Sequence, residues 1–206
     1  IDGLLSGEVH ESTTDIVLEH LSRLEKLLDG VYLINELSPK TTDKLLSFGE
    51  LISSLIIYEA MKSKGLNVQF KNSQNLIVTD SNFTNAAVNF EETNSNITTY
   101  FESNQKMVTI LPGFISKSEH DEITTLGRGG SDYTAAIIAA ALNVSVLQIW
   151  TDVSGMFTSN PKMVKHAKPI AKLSYLEAIE LSHFGAKVLY PPTVLPVLSK
   201  IGGATS

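Results

Sequence analysis

The chain has 206 residues, with 16 Lys and Arg against 22 Asp and Glu for a formal charge of −6, five His and no Cys. Hydrophobic residues make up 43% and charged residues 18%, below the roughly 25% charged content of an average domain. This balance excludes disorder over the whole chain, and the lack of Cys excludes a disulfide scaffold or a thiolate metal site. The acidic charge argues against a broad nucleic-acid footprint, so a phosphate ligand would have to be met by a few placed cations. The length suits one large domain or two small ones.

No run reaches the roughly 18 uninterrupted apolar residues of a membrane helix, and no signal-peptide pattern is present. Neither a membrane nor a nucleic acid is an expected partner, and the expected location is the cytoplasm. The chain starts at Ile1 without an initiator Met and reads as a piece of a longer one.

In chain order, residues 1–12 are polar and turn-rich and predict a loose segment. Val17, Leu21, Leu24 and Leu28 then follow an amphipathic helical stripe, with Gly30 as its stop. Residues 31–37 read as a connector, and residues 38–43 offer several N-cap candidates. Residues 48–64 predict a largely buried helix stopped by Gly65. Short strands are expected at 67–70 and 76–79, and loops over 81–107 with a helix from about 89 to 102. Residues 108–111 form a β-branched run ended by Pro112-Gly113, and residues 114–116 and 122–126 predict a hairpin. A glycine-rich turn over 127–132 opens a helix from 132 to 142. Residues 144–151 predict a strongly apolar strand that delivers Asp152. Ser174 and Glu177 form a capping box for a helix ending near Gly185, and Val188-Leu189 begins a short element. Short apolar strands alternating with helices predict a three-layer α/β sandwich with a mostly parallel central sheet.

Four segments carry chemistry. In Gly127-Arg128-Gly129-Gly130-Ser131-Asp132, glycines let the backbone approach a ligand, and the helix start aims free N–H groups and positive potential at one point. Arg128 adds a planar fork suited to a carboxylate or phosphate. The spacing fits neither a Walker A loop nor a dinucleotide fingerprint, and a tight β–α turn with a surface Arg satisfies it equally. Thr151 and Asp152 stand where α/β sheets place ligand contacts, or they shape a turn. Lys187, in Phe184-Gly185-Ala186-Lys187, sits where a cation also satisfies a helix dipole. Glu50, in Ser47-Phe48-Gly49-Glu50, reads as a helix-start carboxylate in favourable electrostatics. The five His show no paired metal spacing.

Taken together, G-R-G-G-S-D-Y-T-A-A, T-D-V-S-G-M-F-T, S-Y-L-E-A-I-E-L-S-H-F-G-A-K-V-L-Y-P and S-F-G-E resemble the motifs of the aspartokinases in the amino acid kinase superfamily, from about residue 38 to 199. The stretch before Ser38 and the S-P-K-T-T-D segment resemble the aspartokinase part of bifunctional aspartokinase–homoserine dehydrogenases. The resemblance implies transfer of the γ-phosphoryl of ATP to the side-chain carboxylate of L-aspartate, with Mg²⁺ between the phosphates and a homo-oligomeric enzyme. It implies that Glu50 holds the substrate ammonium and Arg128 its α-carboxylate, with Gly129, Gly130 and Ser131 beside them and Asp132 organising the active-site cations. Thr151, Asp152 and Phe157 would contact the nucleotide, and Lys162 and Lys187 the phosphates, Lys187 with Asp132 being the catalytic pair. Another amino acid kinase, acting on glutamate or N-acetylglutamate, and a non-catalytic nucleotide and amino acid-binding domain are the rival readings.

The sequence departs from the family pattern in places. Phe157 replaces a usual Tyr, Lys162 a usual Arg, and Tyr190 and Pro192 a usual His and Arg. The family's opening strand with K-F-G-G-T-S does not precede Ile1, and a loosely similar segment lies at 200–206. The expectation is a partial catalytic domain over residues 1–206, without the first strand or the regulatory ACT domains.

Overall fold

The structure, a computed structural model, describes residues 1, 3–104, 107–152, 155–160, 163–183 and 195–202. It divides into two compact units, Ile1–Gly127 and Arg128–Ser206.

The first unit opens with two long helices. α1 spans Gly7–Ile34, so most of the segment expected to be loose is helical. Glu8 lies in its first turn, where an acidic side chain favours a helix start. The helix runs through Gly30, and Asn35 ends it with left-handed φ and ψ of 55° and 35° while donating its N–H to Val31 O at 2.8 Å. A single mid-helix Gly costs only about 1 kcal/mol, whereas a left-handed residue past the last turn closes a helix. The inward face is rotated from the expected stripe. Thr13 and Val17 are buried, His20 meets Phe48 edge-on with ring centroids 6.4 Å apart, and Leu21 and Leu28 are exposed.

α2 spans Pro39–Ser63, nine residues earlier at its start than residue 48. Ser38 is its N-cap, accepting from Thr41 N at 3.2 Å, and Pro39 follows at the first position, where the missing N–H is not needed. Ser38→Ala should lower unfolding stability by about 1 kcal/mol. A urea titration checks this, and an unchanged midpoint would show that Pro39 alone sets the helix start.

The strands are short and form two sheets. β1 (Val68–Phe70) pairs in parallel with β3 (Val108–Ile110). β2 (Val78–Thr79) pairs in parallel with β4 (Ile115–Ser118), which pairs antiparallel with β5 (Ile123–Thr125), giving the order β2-β4-β5. The expected hairpin is thus present, with Ile115 opposite Thr125. α3 (Phe90–Glu102) matches its expected span and is capped by Asn89, which accepts from Glu92 N at 3.2 Å. α2 packs on β1, β3 and β5, and α3 on β2. The result is the expected α/β fold, with one parallel and one mixed sheet among the described residues.

Its core is mixed in polarity. Leu76, Ile77, Ile97 and Ile115 are buried beside Ser73, Thr79, Thr93, Ser116, Thr124 and Thr125. The hydroxyls are matched to one another, Thr79 Oγ1 to Thr124 Oγ1 at 2.7 Å and Ser116 Oγ to Thr124 Oγ1 at 2.9 Å, while Thr93 Oγ1 accepts from Val78 N at 3.0 Å. Paired in this way, they avoid the penalty of unmatched buried polar atoms.

The second unit contains α4 (Gly130–Ala141), α5 (Tyr175–His183) and α6 (Leu195–Gly202), with α4 against α6. α6 has no counterpart among the sequence expectations. Ser174 and Glu177 form the expected capping box. Glu177 Oε2 accepts from Ser174 N and Oγ, both at 2.7 Å, and Ser174 Oγ accepts from Glu177 N at 3.2 Å, which holds the Glu177 carboxyl below its usual pKa. Residues 144–151 are not a strand. An apolar run becomes a strand only where a neighbour completes its ladder, and no strand of the described residues pairs with it; Val146 and Trp150 are 66% and 87% exposed. No helix among the described residues is long and apolar enough to cross a membrane.

Candidate active site

The turn between β5 and α4 is built by two left-handed glycines, Gly127 at φ 71° and Gly129 at φ 70°. At Gly127 the requirement is double, since an added Cβ would stand 2.5 Å from Asn85 Oδ1 and 3.2 Å from Thr84 O. Between them sits Arg128, which is exposed. Gly129 is the N-cap of α4, and its carbonyl accepts the first helical bond, from Tyr133 N at 2.9 Å. Gly130, Ser131 and Asp132 form the first turn, whose N–H groups have no intrahelical acceptor. The sequence-predicted cluster of a guanidinium beside a helix N-terminus is therefore present from Arg128 to Asp132. Burial raises the Asp132 carboxyl above its ordinary pKa, so its charged form lacks solvent and favours a nearby cation.

Glu50 lies in the middle of α2, not in its first turn. The helix-start explanation for its charge therefore fails. It is half-buried, no ion pair is recorded for it among the described residues, and burial raises its pKa. A half-buried carboxylate on a rigid helix, without a cation, is a fit partner for an ammonium group.

A raised carboxyl pKa favours the fold below the ordinary carboxylate range, and that advantage is lost as pH rises through the folded value. Glu50→Gln removes the penalty on the charged form. In the absence of ligand the variant should match the wild type in stability near about pH 3.5 and exceed it near about pH 7. Urea melts at both pH values check this, and a variant less stable at neutral pH would contradict it.

Thr151 and Asp152 are exposed and lie outside any strand, so the expected placement of Asp152 at a strand end does not hold. Phe157 is half-buried and forms an isolated antiparallel bridge with Pro169, flanked by Ile170 N to Met156 O at 2.7 Å and Thr158 N to Lys168 O at 2.9 Å. Lys162 and Lys187, with Tyr190 and Pro192, lie outside the described residues. No group of three or more His, Asp or Glu is arranged to hold a metal among the described residues. Mg²⁺ needs no such group when phosphates and water supply most of its ligands, and Asp132 would supply a carboxylate to it.

One residue with a place in this geometry escaped the sequence reading as anything but an N-cap candidate. Asp43 is fully buried and accepts three hydrogen bonds, from Thr84 N at 2.8 Å, Thr125 N at 3.1 Å and Thr125 Oγ1 at 2.7 Å. The available signal was its spacing: Asp43, Ser47 and Glu50 fall at i, i+4 and i+7, one face of a helix.

The sequence matches the amino acid kinase family over residues 2–202. The chain belongs to that family. Within it the similarity is to aspartokinases. The chain is 36% identical over 217 residues to lysine-sensitive aspartokinase 3 of Escherichia coli (strain K12), covering 96% of this chain and 48% of that protein. It is 35% identical over 189 residues to the bifunctional aspartokinase/homoserine dehydrogenase of Buchnera aphidicola, covering 91% of this chain and 23% of that protein. The crystal structure of E. coli aspartokinase III in complex with aspartate and ADP matches with a TM-score of 0.86 at 34% identity, over 97% of this chain and 44% of that one. The chain thus spans from about a quarter to about half the length of these curated relatives.

Proposed function

We propose that the protein is an aspartate kinase, transferring the γ-phosphoryl group of ATP to the β-carboxylate of L-aspartate to give 4-phospho-L-aspartate, the entry to lysine, threonine and methionine synthesis. The observation that carries this reading is the pairing of charge types: an exposed Arg128 at a helix N-terminus and a half-buried Glu50 without a recorded cation. An amino acid presents the complementary pair, an α-carboxylate and an α-ammonium. Arg128 takes the first as a fork, and Glu50 takes the second.

The reacting β-carboxylate has an ordinary pKa near 3.9, so it is ionised at neutral pH and needs no general base. The chain's work is then positioning and charge neutralisation. Arg128 and Glu50 fix the amino acid, the N–H groups of Gly130 and Ser131 face negative charge, and Lys187 and Lys162 neutralise the phosphates. Asp152, Thr151 and Phe157 hold the nucleotide, Phe157 by an apolar face. Asp132 would hold the Mg²⁺ that accompanies ATP, and the ion would supply charge neutralisation at the phosphates. The same reading makes the enzyme a homo-oligomer. Tyr32, Leu33 and Ile34, exposed together at the end of α1, support association, because adjacent large apolar side chains mark covered surfaces.

Hydroxylamine traps acyl phosphates as hydroxamates. With ATP and Mg²⁺, the full-length protein should form hydroxamate from L-aspartate and not from L-glutamate or N-acetyl-L-glutamate. Product from glutamate alone would reassign the substrate, and no product from any acceptor would mark a binding domain without catalysis.

A further inference from the structure

Asp43 is a charged side chain at 0% exposure with no ion pair recorded among the described residues. Its charge is met entirely by donors from two other segments. Oδ2 accepts from Thr84 N and from Thr125 N, and Oδ1 accepts from Thr125 Oγ1. Such a buried carboxylate is stable only while its hydrogen bonds stay in place, so it rigidly joins α2 to the 81–86 loop and to the end of β5.

Both segments lead to the substrate turn. Thr125 is two residues before Gly127. Thr84 holds a left-handed φ of 72°, which is strained for a β-branched residue, and its N–H bond to Asp43 offsets that strain. Its carbonyl and Asn85 Oδ1 are the atoms that a Cβ added at Gly127 would meet. At the other end, Asp43 shares a helix face with Glu50, about two turns along α2. All of these groups belong to the unit Ile1–Gly127.

We propose that Asp43 is a positioning residue of the amino acid site: its buried carboxylate sets the register between the helix that carries Glu50 and the strand end and loop that hold Gly127, and so fixes where the ammonium partner of the substrate stands within this unit. The proposal rests on Glu50 being that partner.

Equilibrium titrations of the purified protein with L-aspartate and, separately, with ADP test it. Asp43→Ala should weaken L-aspartate binding at least tenfold and leave ADP binding within twofold, because its partners Thr84 and Thr125 adjoin the Gly127 turn and neither is a proposed nucleotide contact. Asp43→Asn should bind aspartate almost normally. Its amide oxygen accepts both N–H groups, and its Nδ2 donates to Thr125 Oγ1, which turns to accept. In Thr125→Val that acceptor is gone, so Asp43→Asn in that background should lose aspartate binding even should Asp43→Ala fail to fold. Glu50→Gln and Arg128→Ala, titrated alongside, separate the two levels. If both weaken aspartate binding while Asp43→Ala, or the Asp43→Asn/Thr125→Val pair, does not, the positioning role is overturned and the site stands. Equal loss of ADP and aspartate binding in the Asp43 variants overturns it as well. Unchanged aspartate binding in Glu50→Gln and Arg128→Ala removes the site and the positioning role together.

Discussion

Replacing Arg128 by Ala should raise the KM for L-aspartate by roughly 30- to 1000-fold, the kinetic equivalent of about 2–4 kcal/mol for a lost charge-assisted hydrogen-bond pair. The KM for ATP and the thermal midpoint should stay close to wild type, because the side chain is exposed and the turn is shaped by Gly127 and Gly129 rather than by the guanidinium. Arg128→Lys should recover only part of the loss, since an ammonium keeps the charge but cannot form the bidentate fork. Steady-state kinetics on the two variants check this. Aspartate saturation unchanged in Arg128→Ala would leave the residue as surface charge on a tight turn.

Lys187→Met should lower kcat by about 100-fold or more, with the melting temperature nearly unchanged. Removal of one cation from a transferring phosphoryl group withdraws stabilisation that matters most in the transition state. The competing role, a cation at a helix C-terminus, makes the opposite forecast: a stability loss of a few tenths to about 1 kcal/mol with kcat intact. Activity and a thermal melt on one variant therefore decide between the two.

The parts of this account legible in the sequence are those governed by nearby residues. Left-handed backbone at Gly127 and Gly129 is nearly a glycine property, and the helix that follows them is announced by the turn. The Ser174–Glu177 box and the Asn89 cap involve partners three residues away, and the β4–β5 hairpin needs only a short turn. The start of α2 was harder, because residues 38–43 offer several caps and only the bond between Ser38 and Thr41 N, with Pro39 behind it, selects one. That misplaced start also misplaced Glu50, whose half-buried position mid-helix says more about function than a helix-end carboxylate does.

What depends on distant partners was not legible. The donors to Asp43 lie 41 and 82 residues along the chain, and no local pattern records them. Residues 144–151 have strand composition, but strand formation is a property of a pair, and the composition names only one member. On α1 the choice of inward face was off by part of a turn: with apolar residues on both sides, Thr13 and His20 face inward while Leu21 and Leu28 do not.

The central claim is that Glu50 and Arg128 hold the two charged ends of L-aspartate while its side chain meets ATP. A crystal structure of the full-length protein with L-aspartate and a non-hydrolysable ATP analogue tests it most directly. The account predicts the α-carboxylate on the Arg128 guanidinium, the ammonium on the Glu50 carboxylate, and the β-carboxylate in line with the γ-phosphate beside Lys187. An aspartate bound with neither Glu50 nor Arg128 within hydrogen-bond distance would contradict it.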